Sequence, residues 1–282
     1  MNDQNLKSYR LRRHPREEGP SPLSSKQEII EKLDTGNTGT TATVTSKVKI
    51  GKQRWKIMKD TLTVGTWNVQ TLWTGKGEIS GGDFIWSGED ITHSRGVGML
   101  LFARVKHIPI GYNPISSRVI TARFHTTPFK LTVIHEYALT SASSADEIEI
   151  FYDSIEHALT QTPKKDIVIV TGDWNAKVGS DNTNWELVMC KCRYGNRNER
   201  GDRLLEFATL HNLNICNTRF QQKANRKWTW ASPDGVHKSM IDLVLIQRRW
   251  KSSATNCRTF QSADISSDHS LVLCNIKLRL RR

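Results

Sequence analysis

The strongest constraint on the fold is a run of four β-branched apolar residues, Ile167 to Val170, followed by Thr171-Gly172-Asp173-Trp174-Asn175. Such a run is typical of a strand buried on both faces of a sheet. Ligands of open α/β sheets bind where strands end and loops begin. In an extended segment Asp173 and Asn175 point the same way, because they alternate with Trp174. They could hold a metal-bound water or a phosphate oxygen, although for the triplet alone a simple strand-ending turn is the favoured interpretation.

Strand-like and helix-like segments alternate around this run. A helix is predicted from Ser144, with Glu147 at capping-box spacing, to Pro163, and a second over about Asp202 to His211. Turns are predicted near Pro114 and Pro128. The predicted strands are Leu62 to Val69, Gly96 to Val105, Arg118 to Phe124, Lys130 to Ala138, Ile167 to Val170, Asn212 to Asn217, Trp228 to Trp230, Met240 to Ile246 and Ser270 to Leu280. Many strands with few helices predict two packed sheets flanked by helices.

The chain divides into a tail and a domain. Residues 1–60 lack sustained periodicity and carry a basic cluster from Arg10 to Arg16, so we expect a mostly disordered basic tail, with the domain over residues 61–282. No apolar run approaches the roughly 18 residues that a bilayer span requires. The polar, basic stretch from Met1 to Arg13 predicts no signal peptide, and we expect no membrane association.

Charge and cysteine usage suggest the partner and the compartment. The formal net charge of +13 indicates a polyanionic partner, although basic composition alone also serves solubility. The five cysteines are scattered, and Cys190 and Cys192 have no second Cys or His pair at finger-like spacing, which argues against zinc. A reducing, intracellular location is therefore expected.

Five polar clusters stand at predicted strand ends. They are Thr66-Trp67-Asn68, Tyr137, Asp173-Trp174-Asn175, Ile241-Asp242 and Ser267-Asp268-His269. Singly, each has an ordinary explanation: a turn cap, a half-buried aromatic residue, an ion pair or a surface histidine. Together they supply oxygen ligands for a hard cation, a histidine that titrates near neutrality and a carboxylate to orient it. These are the functional groups that hydrolysis of a phosphodiester bond requires.

The same clusters resemble a known family in both composition and order. Gly65-Thr66-Trp67-Asn68-Val69-Gln70-Thr71-Leu72, Gly172-Asp173-Trp174-Asn175-Ala176, Thr229-Trp230, Ser232-Pro233-Asp234-Gly235, Ile241-Asp242 and Ser267-Asp268-His269 look like the endonuclease/exonuclease/phosphatase superfamily, with its deoxyribonuclease I-like fold. The resemblance spans about residues 62–280. It is greatest to craniofacial development protein 2-like proteins and the endonuclease domains of LINE-type retrotransposons. It implies a four-layer α/β sandwich that cuts phosphodiester bonds with Mg²⁺, with Mn²⁺ as the alternative cation.

The resemblance also implies a role for each residue. Asn68 would lie in the metal and phosphate pocket, and Asp268 would be a metal-side ligand. His269 would be the base or phosphate stabiliser, with Asp242 as its orienting partner. Weaker implied contacts to the nucleic-acid strand are Arg197, Asn198 and Trp230. Three further catalytic roles are implied. Tyr137 would contact the scissile phosphate, and Asn175 would hold the phosphate. Asp173 would steer the attacking water or assist the leaving group.

One departure from the family pattern bears on activity. The family places a helix and a strand after the Asn68 motif, and that strand ends in the glutamate that is the principal metal ligand. An ordinary helix and strand take on the order of 20 residues, whereas here Val69 to Leu72 alone separate Asn68 from Trp73. We expect one helix and one strand to be missing after residue 72, and metal binding to be weakened. Neither Glu78 nor Glu136 is expected to replace the ligand.

These observations leave two main hypotheses. The first is a Mg²⁺-dependent DNA endonuclease of a retrotransposon-derived family, acting on DNA in preference to RNA, as a monomer and in the nucleus rather than the cytoplasm. The second is a catalytically degenerate relative that keeps the fold and acts as a nucleic-acid-binding or interaction protein. Phosphate contacts by Lys and Arg would survive loss of the metal. A lipid or inositol phosphatase is a distant third.

Overall fold

The structure is a computed structural model that describes residues 7–9, 55–69, 83–88, 96–102, 104–140, 143–192, 194–261 and 267–278. Glu78 and the position of the expected deletion after residue 72 lie outside these ranges. The two α-helices are α1 (Ala145–Gln161) and α2 (Glu199–Leu210). The strands are β1 (Lys7–Tyr9), β2 (Trp55–Lys56), β3 (Leu62–Thr66), β4 (Asp83–Gly88), β5 (Gly96–Leu101), β6 (Pro109–Ser116), β7 (Val119–Phe124), β8 (Thr126–Thr127), β9 (Leu131–Tyr137), β10 (Ile167–Asp173), β11 (Leu213–Ile215), β12 (Trp230–Ala231), β13 (Lys238–Ser239), β14 (Asp242–Gln247), β15 (Ala254–Phe260) and β16 (Leu271–Ile276).

A six-stranded central sheet forms the middle of the molecule. Its strand order is β11-β14-β10-β9-β7-β6. β9 and β10 are parallel, because α1 carries the chain back between them, whereas β14 runs antiparallel to β10. Every residue of β10 is buried, which confirms the doubly covered strand that the apolar run predicted.

Apolar clusters cover the central sheet on both faces. One face packs against α1 and α2, and Trp174 lies there with Phe151, Tyr152 and Phe207. The other face packs against a second layer of two three-stranded sheets, β15-β16-β3 and β1-β4-β5. The predicted mixed α/β sandwich is therefore confirmed, and both α-helices of the described ranges lie on one face of the central sheet.

The described strands of the second layer form two separate sheets. Within the described ranges β3 pairs with β16, β4 pairs with β1 and β5, and no ladder joins β3 to β4. The intervening residues 70–82 are outside the described part of the chain. The expected deletion after residue 72 falls among these residues and stays a prediction.

Several predicted boundaries were wrong, and edge strands account for most of the errors. Pro114 lies inside β6 and not in a turn, which is possible because β6 is the edge strand and its register is irregular between Pro114 and Ser116. β15, another edge strand, was missed because polar residues interrupt its alternation. The second helix begins earlier than predicted, since the Asn198 side chain caps it by accepting a hydrogen bond from Gly201 N.

The start of the first helix was predicted correctly. Ser144 and Glu147 form the reciprocal capping box around the first turn of α1. Upstream, folded structure includes Trp55–Lys56, and Ile57 is fully buried, a few residues before the expected domain start. The division into tail and domain stays a prediction. No helix in the described ranges is long and apolar enough to cross a membrane.

Candidate active site

Three polar side chains line up across one end of the central sheet. Tyr137 pairs with Asp173, and Asp173 pairs with Asp242, on the adjacent strands β9, β10 and β14. Paired positions of neighbouring strands face the same way, so the three side chains share a face. Both aspartates are buried and Tyr137 is half-buried. We call this end of the central sheet the site edge.

The second layer brings the other predicted residues to the site edge. β3 and β16 are antiparallel neighbours, so the segment after β3 meets the segment before β16. Ser267 Oγ donates to the carbonyl of Asn68 at 2.7 Å, and Trp67 Nε1 donates to the carbonyl of His269 at 3.0 Å. These bonds hold Asn68 and His269 over the two aspartates.

His269 is oriented by Asp242. Its Nδ1 lies 2.9 Å from Asp242 Oδ2, and its Nε2 lies 3.8 Å from both Asp173 Oδ2 and Asp268 Oδ1. The backbone of Asp242 is itself fixed, because its N–H donates to Thr229 Oγ1 and its carbonyl accepts from Asn217. One ring nitrogen is thus held by a carboxylate, and the other faces the centre of the site.

Asp173 is held by two amides. Asn68 Nδ2 donates to Asp173 Oδ2 at 2.8 Å, and the backbone N–H of Asn175 donates to Asp173 Oδ1 at 3.0 Å. The strand does not stay extended through Asn175, which adopts a left-handed φ of 46°. Asn175 still lies beside Asp173, but the turn brings it there and not the strand alternation that the sequence suggested.

Electrostatics raise the pKa values of two site residues. Burial, with the charge of Asp242, raises the pKa of Asp173 to about 7, against the opposing effects of His269 and Asn68. Burial lowers the pKa of His269, but the hydrogen bond and charge of Asp242, helped by Asp173 and Asp268, outweigh it and raise the value to about 9. These shifts favour the protonated imidazole of His269 and bring the pKa of Asp173 close to neutrality.

Two aromatic residues border the site. Burial and the charge of Asp173 raise the pKa of Tyr137, while Arg118 and a hydrogen bond with Asn68 oppose the rise. The Arg118 guanidinium lies 5.1 Å from the Tyr137 ring centre. Trp230 Nε1 donates to Asp268 Oδ2 at 2.7 Å. Trp230 therefore positions Asp268, and a role in contacting nucleic acid stays a prediction.

The donor set suits a divalent cation. Carboxylate oxygens of Asp173 and Asp242 lie within 4.8 Å of each other and of a His269 ring nitrogen, so the two carboxylates are the groups that would hold a cation beside the imidazole. The Oδ1 atom of Asp242 is buried with no hydrogen-bond partner among the described residues, as a carboxylate oxygen that awaits a ligand would be. Asn68 and Asp268, the ligands that the sequence predicted, lie at the rim of this group. Oxygen-rich sites of this kind bind hard cations such as Mg²⁺.

Arg197 and Asn198 lie outside this cluster and have structural partners. Arg197 donates to the carbonyl of Val178 and pairs with Asp202, and Asn198 accepts hydrogen bonds from Lys177 N and Gly201 N. These bonds fix the loop after β10 against the start of α2. Their predicted contact with nucleic acid stays untested.

Arg118 and Ser267 belong to the site, but the sequence reasoning gave neither a role. Arg118 lies in the turn before β7, beside Tyr137, and its side chain donates to the Tyr137 carbonyl. Only the pairing of β7 with β9 brings the two together, so no local signal exists in the sequence. Ser267 is the first residue of the Ser-Asp-His motif and could have been found there.

Glu136 does not reach the site edge as a ligand. It pairs in register with Gly172, next to the Tyr137–Asp173 pair, so its side chain points to the other face. It fills the space that a glycine leaves, since a Cβ at Gly172 would lie 2.4 Å from Glu136 Oε1. The expectation that Glu136 would not face the Tyr137 side is confirmed.

Comparison with known proteins agrees with this geometry. A family model described as endonuclease-reverse transcriptase matches residues 131–273, about half of the chain. Craniofacial development protein 2 of Bos taurus is 35% identical over 260 residues, and the alignment covers 82% of this chain and 43% of that protein. The chain thus spans less than half the length of that relative.

Solved structures share the fold. The endonuclease domain of TRAS1, a telomere-specific non-LTR retrotransposon, superposes with a TM-score of 0.56 at 16% identity, covering 78% of this chain and 99% of that chain. The AP endonuclease LMAP from Leishmania major gives 0.60 at 12% identity, covering 92% and 97%. Given the match over residues 131–273 and this fold, the chain belongs to the endonuclease/exonuclease/phosphatase superfamily of hydrolases, in its endonuclease-reverse transcriptase family.

Proposed function

We propose that the chain is a divalent-cation-dependent endonuclease that hydrolyses phosphodiester bonds of DNA in preference to RNA. The observation that carries the proposal is the arrangement of His269. One ring nitrogen is held by Asp242 at 2.9 Å, and the other lies 3.8 Å from Asp173 and from Asp268. Proton transfer at a phosphate requires an acid and a base side by side. Here the protonated imidazole is the acid, and the neighbouring Asp173 carboxylate, whose pKa is close to neutrality, is the base.

The pKa values of the two residues suggest how they divide the chemistry. Asp173, with a pKa of about 7, accepts a proton from the attacking water in its ionised form. His269, held as a cation by Asp242, stabilises negative charge on the phosphate oxygens or donates a proton to the leaving oxygen. Asn175 and Tyr137 orient the phosphate from either side of Asp173.

A divalent cation would complete this set. Asn68 and Asp268 would hold Mg²⁺, or Mn²⁺ as the alternative, together with carboxylate oxygens of the buried group. When bound, the cation would neutralise charge on the attacking and leaving oxygens. The principal glutamate ligand that the family resemblance implies has no counterpart among the described residues, so we expect weak binding.

A catalytically degenerate relative is the second candidate. The four-residue spacing after Asn68, where the family resemblance implies a helix and a strand, favours it. Such a protein would retain nucleic acid through its basic residues without cutting it. The net charge of +13 supports nucleic-acid binding under either candidate.

Origin and location follow from the same proposal. Similarity to a non-LTR retrotransposon endonuclease domain supports derivation from a retrotransposon. We propose that the protein acts in the nucleus rather than the cytoplasm, because DNA is its substrate. We also propose that it acts as a monomer. Fractionation of cells that express the tagged chain tests the location, and light scattering tests the monomer.

The decisive experiment is nicking of supercoiled plasmid in Mg²⁺ or Mn²⁺. The proposal expects open-circle product that disappears with EDTA and with His269→Ala. A second version carries a helix and a strand ending in glutamate, inserted after Leu72. If only the version with the inserted helix and strand cuts plasmid, the deletion inactivates this chain, and the catalytically degenerate relative is the correct candidate. Cutting that persists in His269→Ala would contradict the assigned site.

A further inference from the structure

A second polar cleft lies beside the site edge and includes none of the residues assigned above. Its volume is about 220 Å³, and its lining includes Lys177, Tyr194, Asn196, Lys238 and Met240. Lys177 comes two residues after Asn175, and Met240 comes two residues before Asp242. The cleft is therefore formed in part by the segments that directly follow β10 and directly precede β14, the two strands that carry Asp173 and Asp242.

The walls of the cleft are firmly built. On one side, Lys177 N donates to Asn198 Oδ1 and its carbonyl accepts from Asn198 N. A Cβ at Gly201 would lie 1.9 Å from the Lys177 carbonyl oxygen, so the loop after β10 is packed directly on α2. On the other side, Met240 and Ser239 are buried, and Trp174 N donates to the carbonyl of Ile241 to join the two walls.

The chemistry of the lining is cationic. Lys177 and Lys238 are exposed and come from opposite walls, and none of the described residues that line the cleft is acidic. The Lys238 amine lies 4.9 Å from the ring centre of Trp228, a cation–π contact that restricts the side chain. Half-buried Tyr194 adds an aromatic surface, and Asn196 adds an amide.

We propose that this cleft is a second phosphate subsite, in which Lys177 and Lys238 bind the backbone of the same nucleic-acid strand beside the scissile phosphate. This inference rests on the proposed function for its substrate, but the cleft itself requires neither the metal nor the catalytic residues. Its role is to fix the strand's register and not to take part in the chemistry. Two amines on opposite walls would clamp one phosphate-bearing segment between them.

The test measures binding and not cleavage. A fluorescently labelled DNA duplex is titrated in EDTA over a series of salt concentrations, with the unmodified chain and with Lys177→Ala/Lys238→Ala. Each lost phosphate contact lowers the slope of log affinity against log salt by about 0.9 on duplex DNA, so we expect a slope smaller by roughly 2. Affinity at low salt should fall roughly tenfold.

Two further variants make the result specific. Lys164→Ala/Lys165→Ala removes the same charge from exposed positions at the opposite end of β10, and should leave the slope nearly unchanged. Lys177→Arg/Lys238→Arg keeps the charge and should restore the slope. Equal slope changes in the two alanine pairs would overturn the subsite, because bulk charge would then explain the binding.

Failure of the subsite and failure of the proposed function give different results. Binding that depends on the cleft lysines, in a chain that does not nick plasmid, would retain the subsite and remove the nuclease activity. If the unmodified chain nicks plasmid, and Lys177→Ala/Lys238→Ala leaves the salt dependence of DNA binding unchanged, the nuclease proposal would stand and the subsite would be overturned.

Discussion

The two ends of β10 each place an aspartate in the interior, and the two environments differ. Asp166 directly precedes the strand, and its carboxylate receives two hydrogen bonds from Arg123, at 2.6 and 2.9 Å, and one from Thr132. Asp173 ends the strand and faces Asp242, with His269 3.8 Å away and two amides as hydrogen-bond donors. Both aspartates are at most 4% exposed.

The difference shows how one strand can serve both structure and chemistry. At the Asp166 end, the negative charge meets a guanidinium in a bidentate pair, which fixes the carboxylate in place. At the Asp173 end, burial raises the pKa of the carboxyl group to about 7 and the nearby Asp242 carboxylate adds to the rise, so the negative charge is only partly compensated. Incomplete compensation of buried charge is characteristic of functional sites.

The largest expected effect is on activity at the Asp173 end. Asp173→Asn removes the proton acceptor and should lower the nicking rate by roughly 10²- to 10⁴-fold. Stability should be retained or increase, because a carboxylate that repels Asp242 is removed. Nicking kinetics and urea unfolding measure the two quantities. A large decrease in the free energy of unfolding would contradict this prediction, because it would show that Asp173, like Asp166, stabilises the fold.

The converse effect is expected at the Asp166 end. Arg123→Met leaves the buried Asp166 carboxylate without its partly exposed cation and should lower the free energy of unfolding by about 2–4 kcal/mol, since the remaining buried charge is uncompensated. The nicking rate per folded molecule should not change. Arg258→Met, which removes an arginine stacked 4.3 Å from the Phe260 ring, is the matched control and should cost much less.

A third effect concerns the pH dependence set by Asp242. The pKa of His269 in the folded chain is about 9, above the ordinary value of 6.5. The stabilisation from this protonation is therefore complete below pH 6.5 and is lost as pH rises towards 9. In Asp242→Asn the His269 pKa should fall, so the free energy of unfolding should decrease less between pH 6.5 and 9 than it does in the unmodified chain. NMR titration of the imidazole and urea unfolding at pH 6 and 9 are the measurements, and an unchanged His269 pKa would show that Asp242 does not hold the proton.

The smallest effect tests the face behind the site edge. Glu136 is buried, and both carboxylate oxygens lack a hydrogen-bond partner among the described residues. Burial, with the charges of Asp173 and Asp242, raises its pKa well above the ordinary value. The cost of keeping Glu136 neutral grows as pH rises above 4.5, so Glu136→Gln should raise the free energy of unfolding at pH 8 and raise it less at pH 5. An equal change at both pH values would mean that Glu136 is ionised in the folded protein.

Much of the site could be predicted from the sequence because its residues sit in short motifs at strand ends. Asp173, Asp242 and His269 each follow or precede an apolar run, and the end of a buried strand is a recognisable position. Arg118 could not be predicted in this way, because its neighbour Tyr137 is brought to it by the pairing of β7 with β9. Edge strands such as β6 and β15 were missed or misread for a related reason: half-exposed strands carry weaker apolar patterns.

The sequence by itself determined which strand is buried, where the first helix starts, and which polar residues stand at the strand ends, because these properties depend on neighbouring residues in the chain. Only the tertiary structure decided that Asp173 faces Asp242 while Asp166 faces Arg123. Strand register and layer packing set those partners, and the partners set the charge state of each carboxyl group. Two aspartates that look alike in the sequence are therefore expected to have different functions.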